Sequence, residues 1–374
     1  MTEKSGRSFF LAPKDIIGII LLTILLAVVL PLVLDSFRLQ FVGKYLTYAF
    51  VALGLVLCWG YAGILSLGQG VFFGLGGYCM AMYLKLEASS VANTKIQSTP
   101  GIPDFMDWNQ ITELPLMWQP FNNLGLTILA VILVPALFAF IVGFAMFKRR
   151  VGGVYFAIIT QALVYVAMLL MFRNDTGFGG NNGMTGFSHI FGVPMGTAGV
   201  ATGLAVAALA VLIVLLIGLR LLVTSRFGQL VIACRDDEIR LKTLGYDTLS
   251  IKLALWCLSA VIAAIAGMLY VPQVGIINPR LLSPELSIEI AVWVAIGGRG
   301  HLVGAVAGAI FVNALKFWLA TRAPELWPFI LSGLVVLIVL ALPNGFADLG
   351  TGFGRPGNGR GPLAALRRRF GSPT

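Results

Sequence analysis

Apolar residues run along most of this chain in blocks long enough to cross a bilayer, where about 20 helical residues cover about 30 Å of hydrocarbon. Short clusters of charge, glycine and proline separate the blocks. The pattern predicts an all-α polytopic membrane protein of about ten helices, with nine or eleven as neighbouring counts. The spans read as 16–34, 45–60, 70–84, 124–147, 151–172, 198–223, 251–271, 286–296, 303–320 and 327–342. Spans three and eight are short and rich in glycine or polar residues. They are expected to be broken or partly re-entrant, which requires protein or a cavity around the exposed backbone.

One interruption differs from the rest. SRFGQLVIACRDDEIRLKTLGYDTLSIK at 225–252 carries Arg226, Arg235, Asp236, Asp237, Glu238, Arg240, Lys242 and Asp247 between two apolar spans. Each ionised side chain costs roughly 2.5–3.5 kcal/mol in hydrocarbon. The segment must stand in water, and its pattern predicts a short amphipathic helix that docks on a partner.

Composition agrees. The 374 residues are 58% hydrophobic and 11% charged, with mean hydropathy +0.91, which excludes a soluble domain. The net charge of +10 lies in loops and does not form a nucleic-acid surface. Cys58, Cys79, Cys234 and Cys257 lack metal-type spacing and read as small hydrophobes or a reduced thiol, not as disulfides. The first apolar run is long enough to span and lacks a small-residue cleavage site, so it reads as a retained helix.

Ten spans put both termini on one side, which then carries about 18 of the Lys and Arg residues against about 8 opposite. That places both termini and the charged segment in the cytoplasm. The expected organisation is a cytoplasmic N-terminus at 1–15 and a transmembrane domain at 16–347, with a basic, disordered cytoplasmic tail at 348–374. Within the domain lie an ordered outer insert at 87–123, a turn-rich outer loop of glycine and asparagine at 173–197, and the cytoplasmic loop at 224–250. His189 and His301 have no ligand partners at helical spacing. No catalytic or Walker motif is present, so neither a metal site nor an enzyme is expected, and ATP-driven transport would need ATPases on other chains.

Several clusters together resemble the permeases of branched-chain amino acid ABC transporters. They are GYAGILSLGQGVFFGLGGY at 60–78, RVGGVYFAIIT at 150–160, SRFGQ at 225–229 with ACRDDE at 233–238 and LG at 244–245, AIGGRG at 295–300, and LPNG at 342–345. Within that family, PDFM at 103–106, LP at 114–115, WQPF at 118–121 and GVYFAIITQ at 153–161 resemble the urea branch. The resemblance implies a multi-pass subunit of the bacterial inner membrane. It would work with a second related permease, two cytosolic ATPases and an extracytoplasmic binding protein. ATP and Mg²⁺ would sit on the ATPases, with no cofactor on this chain. Urea is the expected substrate, with branched-chain amino acids as the alternative and an ion-coupled secondary transporter as the reading from another class. The last would need an internal ion site, and acids within the spans are scarce.

The resemblance makes 225–246 a coupling loop, with Gly228, Ala233, Arg235, Asp236, Asp237, Glu238, Arg240, Leu244 and Gly245 as its contact residues. Leu230, Ile232, Ile239 and Leu241 add apolar contacts, and Gly228 and Gly245 are expected to bracket one helix. In a generic loop Asp236, Asp237 and Glu238 would be only a solvated face. Candidate substrate-path residues are Ser66, Gln69, Thr160, Gln161 and Glu289, against the plainer reading that they bond helices to one another. Urea could pass along hydroxyls and amides alone, whereas a zwitterion needs charge partners. Glu289 serves that second case, or pairs with Arg299 or Lys316. Gly70, Gly74, Gly76 and Gly77, and the pair Gly304 and Gly308, predict close helix packing.

Overall fold

Helices form where the apolar blocks lie, and polar side chains mark where they stop. The computed structural model describes residues 36–326 except 91, 92, 96, 98, 175 and 176, together with 329, 330, 332 and 333. Its membrane helices are α1 (Ser36–Leu55, continued by a π-helical turn at Val56–Tyr61), α2 (Gln69–Ala88), α4 (Leu124–Lys148), α5 (Gly153–Phe172), α6 (Ala198–Thr224), α9 (Thr248–Val274), α10 (Pro284–Gly297) and α11 (Leu302–Arg322). Short helices α3 (Asp104–Trp108), α7 (Arg226–Asp236) and α8 (Glu238–Thr243) lie in the connections.

Among the described residues, six helices are long and apolar enough to cross a membrane. The chain is thus an all-α, multi-pass membrane protein. The expected spans 16–34 and 327–342, the cytoplasmic N-terminus 1–15 and the tail 348–374 lie wholly or mainly outside the described residues.

The two doubtful spans resolve differently. The third is a 20-residue helix, long enough to cross, but its glycines replace apolar side chains because it is buried on nearly every face. The eighth has 14 residues, about 21 Å at 1.5 Å per residue. It is a half-helix, and the chain ahead of it turns through a 3₁₀ segment at Pro279–Leu282.

The centre is α9, packed on α1, α2 and α4. Glycine sets the spacing: a Cβ on Gly76 would overlap the Ala264 backbone, and one on Gly267 the Phe73 carbonyl. The indole of Trp256 donates to the Ala139 carbonyl at 3.0 Å, tying α9 to α4. By contrast α4 and α5 expose Leu133, Leu137, Ile141, Val154 and Ile158 outward, an apolar belt suited to lipid.

At one end of the bundle the described residues of the 87–123 insert and the 173–197 loop pack together as a cap. Buried Lys85 pairs with Asp104 at 2.8 Å and donates to the Thr185 carbonyl at 2.6 Å, joining α2, insert and loop. Trp118 donates to the Gly177 carbonyl at 3.1 Å. The loop turns on Gly177, Gly179, Gly180, Gly183 and Gly186, all with positive φ. It also contains short strands that a purely helical reading did not anticipate. Strand β1 (Met184–Thr185) pairs with β4 (Ile276–Ile277), and β2 (His189–Ile190) with β3 (Val193–Pro194), all antiparallel.

Candidate functional site

At the opposite end, the charged segment is not the single helix expected. It breaks at Asp237, whose side chain accepts from the Arg240 amide at 2.9 Å and caps α8. Ser225 caps α7 and Asp247 caps α9 in the same way. Gly228 is not a boundary but the third residue of α7, where a Cβ would overlap the Val223 carbonyl. Gly245 does end α8, at φ +88°.

The charges mostly hold the segment to the bundle. Arg235 donates to the Gly60 carbonyl at 2.8 Å, at the end of α1, and pairs with Asp236 at 2.9 Å. Glu238 binds Lys252 of α9 at 2.5 Å and Lys242 at 2.8 Å, and accepts from the Thr248 hydroxyl at 3.0 Å. Burial would raise the Glu238 pKa, but these hydrogen bonds and the Lys252 charge outweigh it and hold the carboxyl down at about 2. Asp247 is lowered by its hydrogen bond from Ser250 and by the capped amides.

The outward surface mixes charged residues with a few apolar ones. Ile239 and Leu244 are 77% and 70% exposed, beside exposed Ala233, Arg240 and Tyr246. Leu241, expected among these contacts, is buried at 5%, and Leu230 and Ile232 are half-buried. Arg240 forms no ion pair among the described residues.

Between α1 and α2 the chain returns into the bundle without helix at 63–68. Its depth follows from its neighbours: Gln69 donates to Ser259 at 2.9 Å, and Ser259 donates to the Gly54 carbonyl at 2.7 Å, both well inside their helices. Amides here cannot reach water, and side chains satisfy them. Leu67 donates to the Thr160 hydroxyl at 3.1 Å, Gly68 to Ser66 at 3.2 Å and Gly70 to Ser287 at 3.3 Å. The Gln69 carbonyl oxygen is buried without a hydrogen-bond partner.

The structure therefore brings Ser66, Gln69 and Thr160 together around this break. Gln161 faces away, half-buried on α5. Glu289 lies elsewhere, receiving both of its bonds from Lys316 at 2.7 and 3.0 Å, so its partner is Lys316 and not Arg299. Arg299 stacks over Trp59 at 5.1 Å. Ser259 and Ser287 were missed by sequence reasoning. The only signal for them was a hydroxyl inside an apolar block.

Glu289 and Lys316 line a cavity of about 400 Å³ between the first turns of α1, the start of α10 and the last turns of α11. Gly43 packs on Gln273, at the end of α9, so the cavity lies toward the insert.

Comparison with known proteins bears on what this architecture belongs to. The family model described as branched-chain amino acid transport system / permease component matches residues 37–340. The chain is 24% identical over 348 residues to the high-affinity branched-chain amino acid transport system permease protein LivM of Salmonella typhimurium, covering 87% of this chain and 73% of that protein. It is 33% identical over 127 residues to the autoinducer 2 import system permease protein LsrC of Escherichia coli, 32% of this chain and 37% of that one. A 141-residue match at 29% identity links it to the fructose import permease protein FrcC of Rhizobium meliloti, 35% and 39% of the two chains. No solved structure matches. These relatives give no support to the urea branch, and they fit the branched-chain alternative better. A match across most of its length places this chain in the branched-chain amino acid transport system permease family.

Proposed function

We propose that this chain is the membrane-spanning permease subunit of an ATP-driven ABC importer for branched-chain amino acids in a bacterial inner membrane. The observation that carries this reading is the α7–α8 segment, braced to two membrane helices and presenting exposed Ile239 and Leu244 among charged residues. In this reading 224–250 lies in the cytosol, and the insert and the 173–197 loop face the opposite side. A second homologous permease completes the pore, two ATPases carry ATP and Mg²⁺, and an external binding protein delivers substrate. This chain holds no cofactor.

The mechanism is alternating access. The partner ATPase takes Ile239, Leu244, Ala233 and Tyr246 into a groove, each large side chain contributing roughly 1.5–3 kcal/mol on full burial. Asp236 and Arg240 meet its polar rim. When the ATPases close, Arg235 carries the displacement to Gly60 of α1, and Glu238 carries it to Lys252 of α9. Gly60 in turn rests on the Arg299 carbonyl beyond α10, because a Cβ there would overlap it.

The test is ATP-dependent uptake of labelled leucine, with unlabelled urea as competitor, by the complex reconstituted with its co-expressed partners. Saturable leucine uptake that urea leaves unchanged supports the reading. Uptake of urea but not leucine favours the second reading, a urea permease, which rests on the insert motifs. Those motifs have local duties that bear little on substrate: Asp104 locks onto Lys85, and Trp118 onto Gly177. Uptake driven by an ion gradient without ATP would overturn both.

A further inference from the structure

The cavity between α1, α10 and α11 holds more charge than its one ion pair uses. Lys316 donates to both oxygens of Glu289. Lys44, Arg280 and Glu285 line the same space, and none forms an ion pair among the described residues. The Lys44 ammonium lies 5.8 Å from the Tyr48 ring centroid and feels the charges of both Glu289 and Lys316 without a salt bridge to either among the described residues. Charged groups within a membrane-spanning bundle are costly, and they mark paths and sites. Here Lys44 on α1 faces the same space as Glu285, an exposed carboxylate on the first turn of α10 that the Ser283 hydroxyl also meets.

The remaining wall is apolar apart from Tyr45, Tyr48, Ser283 and Asn313. Phe41 and Phe317 pack with tilted rings, centroids 4.7 Å apart, and Leu281 and Leu286 lie along the α10 side. At about 400 Å³ the cavity falls within the range of small-ligand pockets. A ligand that fits carries a carboxylate, an ammonium and an aliphatic body. Urea has neither charge, and a sugar has neither charge nor such a body.

We propose that this cavity is a binding station for a zwitterionic α-amino acid, in which Lys44 receives the carboxylate and Glu285 the ammonium. Arg280, exposed at the rim, adds attraction for the carboxylate, and the two phenylalanines hold the aliphatic side chain. This assignment rests on the importer reading above. It also gives that reading a route for coupling. Glu285 and Glu289 stand on α10, and just past the far end of that helix the Arg299 carbonyl lies against Gly60, which Arg235 holds. A shift of the coupling loop therefore reaches α10 and moves Glu285 relative to Lys44, opening or closing the charge pair that grips the ligand.

The experiment is leucine uptake by the full reconstituted complex carrying Lys44→Met, Lys44→Arg or Glu285→Gln, with assembly checked by size exclusion. Lys44→Met and Glu285→Gln are expected to lower uptake at least tenfold while the complex still assembles. Lys44→Arg, which keeps the charge, is expected to stay within threefold of the parent. Uptake within twofold of the parent for both neutral variants overturns the station and leaves the importer reading intact. Equal loss in Lys44→Arg and Lys44→Met also overturns it, since charge would then not be what matters. If Lys44→Met fails to assemble, Glu285→Gln decides alone by the same tenfold and twofold limits. A parent complex that imports urea and not leucine defeats the importer reading itself, whatever the variants do.

Discussion

The break at 63–68 and the charged segment at 225–247 both interrupt the helices, and they spend their polar groups differently. In the break, neutral hydroxyls from Ser66, Thr160 and Ser287 answer amides that water cannot reach. In the charged segment, ions and caps bind the two helices to one another and to the bundle, while Ile239 and Leu244 stay outside. A polar residue in an apolar stretch can thus be consumed by its own backbone, and an apolar residue in a charged stretch can be the one left for a partner. The two regions meet at Gly60, whose carbonyl takes Arg235 and whose α-carbon rests on the Arg299 carbonyl.

Breaking that junction should have the largest effect. Gly60→Val places a side chain into the Arg299 backbone, and the expected result is loss of the protein from the membrane fraction on a quantitative immunoblot. Next come the two faces of the coupling segment. Arg235→Glu should lower uptake at least tenfold while the ATPases still co-purify, whereas Ile239→Asp with Leu244→Asp should lose the ATPases from the purified complex. Loss of co-purification in Arg235→Glu would show that this arginine docks and does not anchor.

Smaller effects test the break. Thr160→Val removes the acceptor for the Leu67 amide, and a buried donor left unpaired costs about 1–3 kcal/mol. The expected readout is a lower thermal midpoint in detergent with the same assembly state, and an unchanged midpoint would remove the hydroxyl from this role. The smallest effect concerns pH. The Glu238 carboxyl sits at about 2 in the folded chain, below its ordinary value. Its contribution is therefore complete above about 4.5 and is lost only as pH falls toward 2. Hydrogen exchange of the α8 amides should be constant, after correction for intrinsic rates, from pH 7 to 5. A rise in that window would place the carboxyl higher.

The membrane class and most span positions were legible because an apolar block of the right length has few other folds. The half-helix α10 was legible in part, since its short run ends against glycines. Asp237 was not legible as a cap: within Asp236, Asp237 and Glu238 every residue looks equally solvated, and only the break in the backbone separates them. Arg235 was read as facing outward, but its partner, the Gly60 carbonyl, is 175 residues distant and a main-chain atom. Ser259 and Ser287 were hidden for the same reason. The cavity charges Lys44, Arg280 and Glu285 come from two distant parts of the chain, and only folding places them round one space.

The buried Lys85 has one more implication. Its ammonium fastens the insert through Asp104 and the outer loop through the Thr185 carbonyl, and Lys85 itself belongs to α2. The cap therefore cannot hinge like a door while the bundle stays still. Force on it is passed straight to α2, whose glycines seat that helix against the backbone of α9.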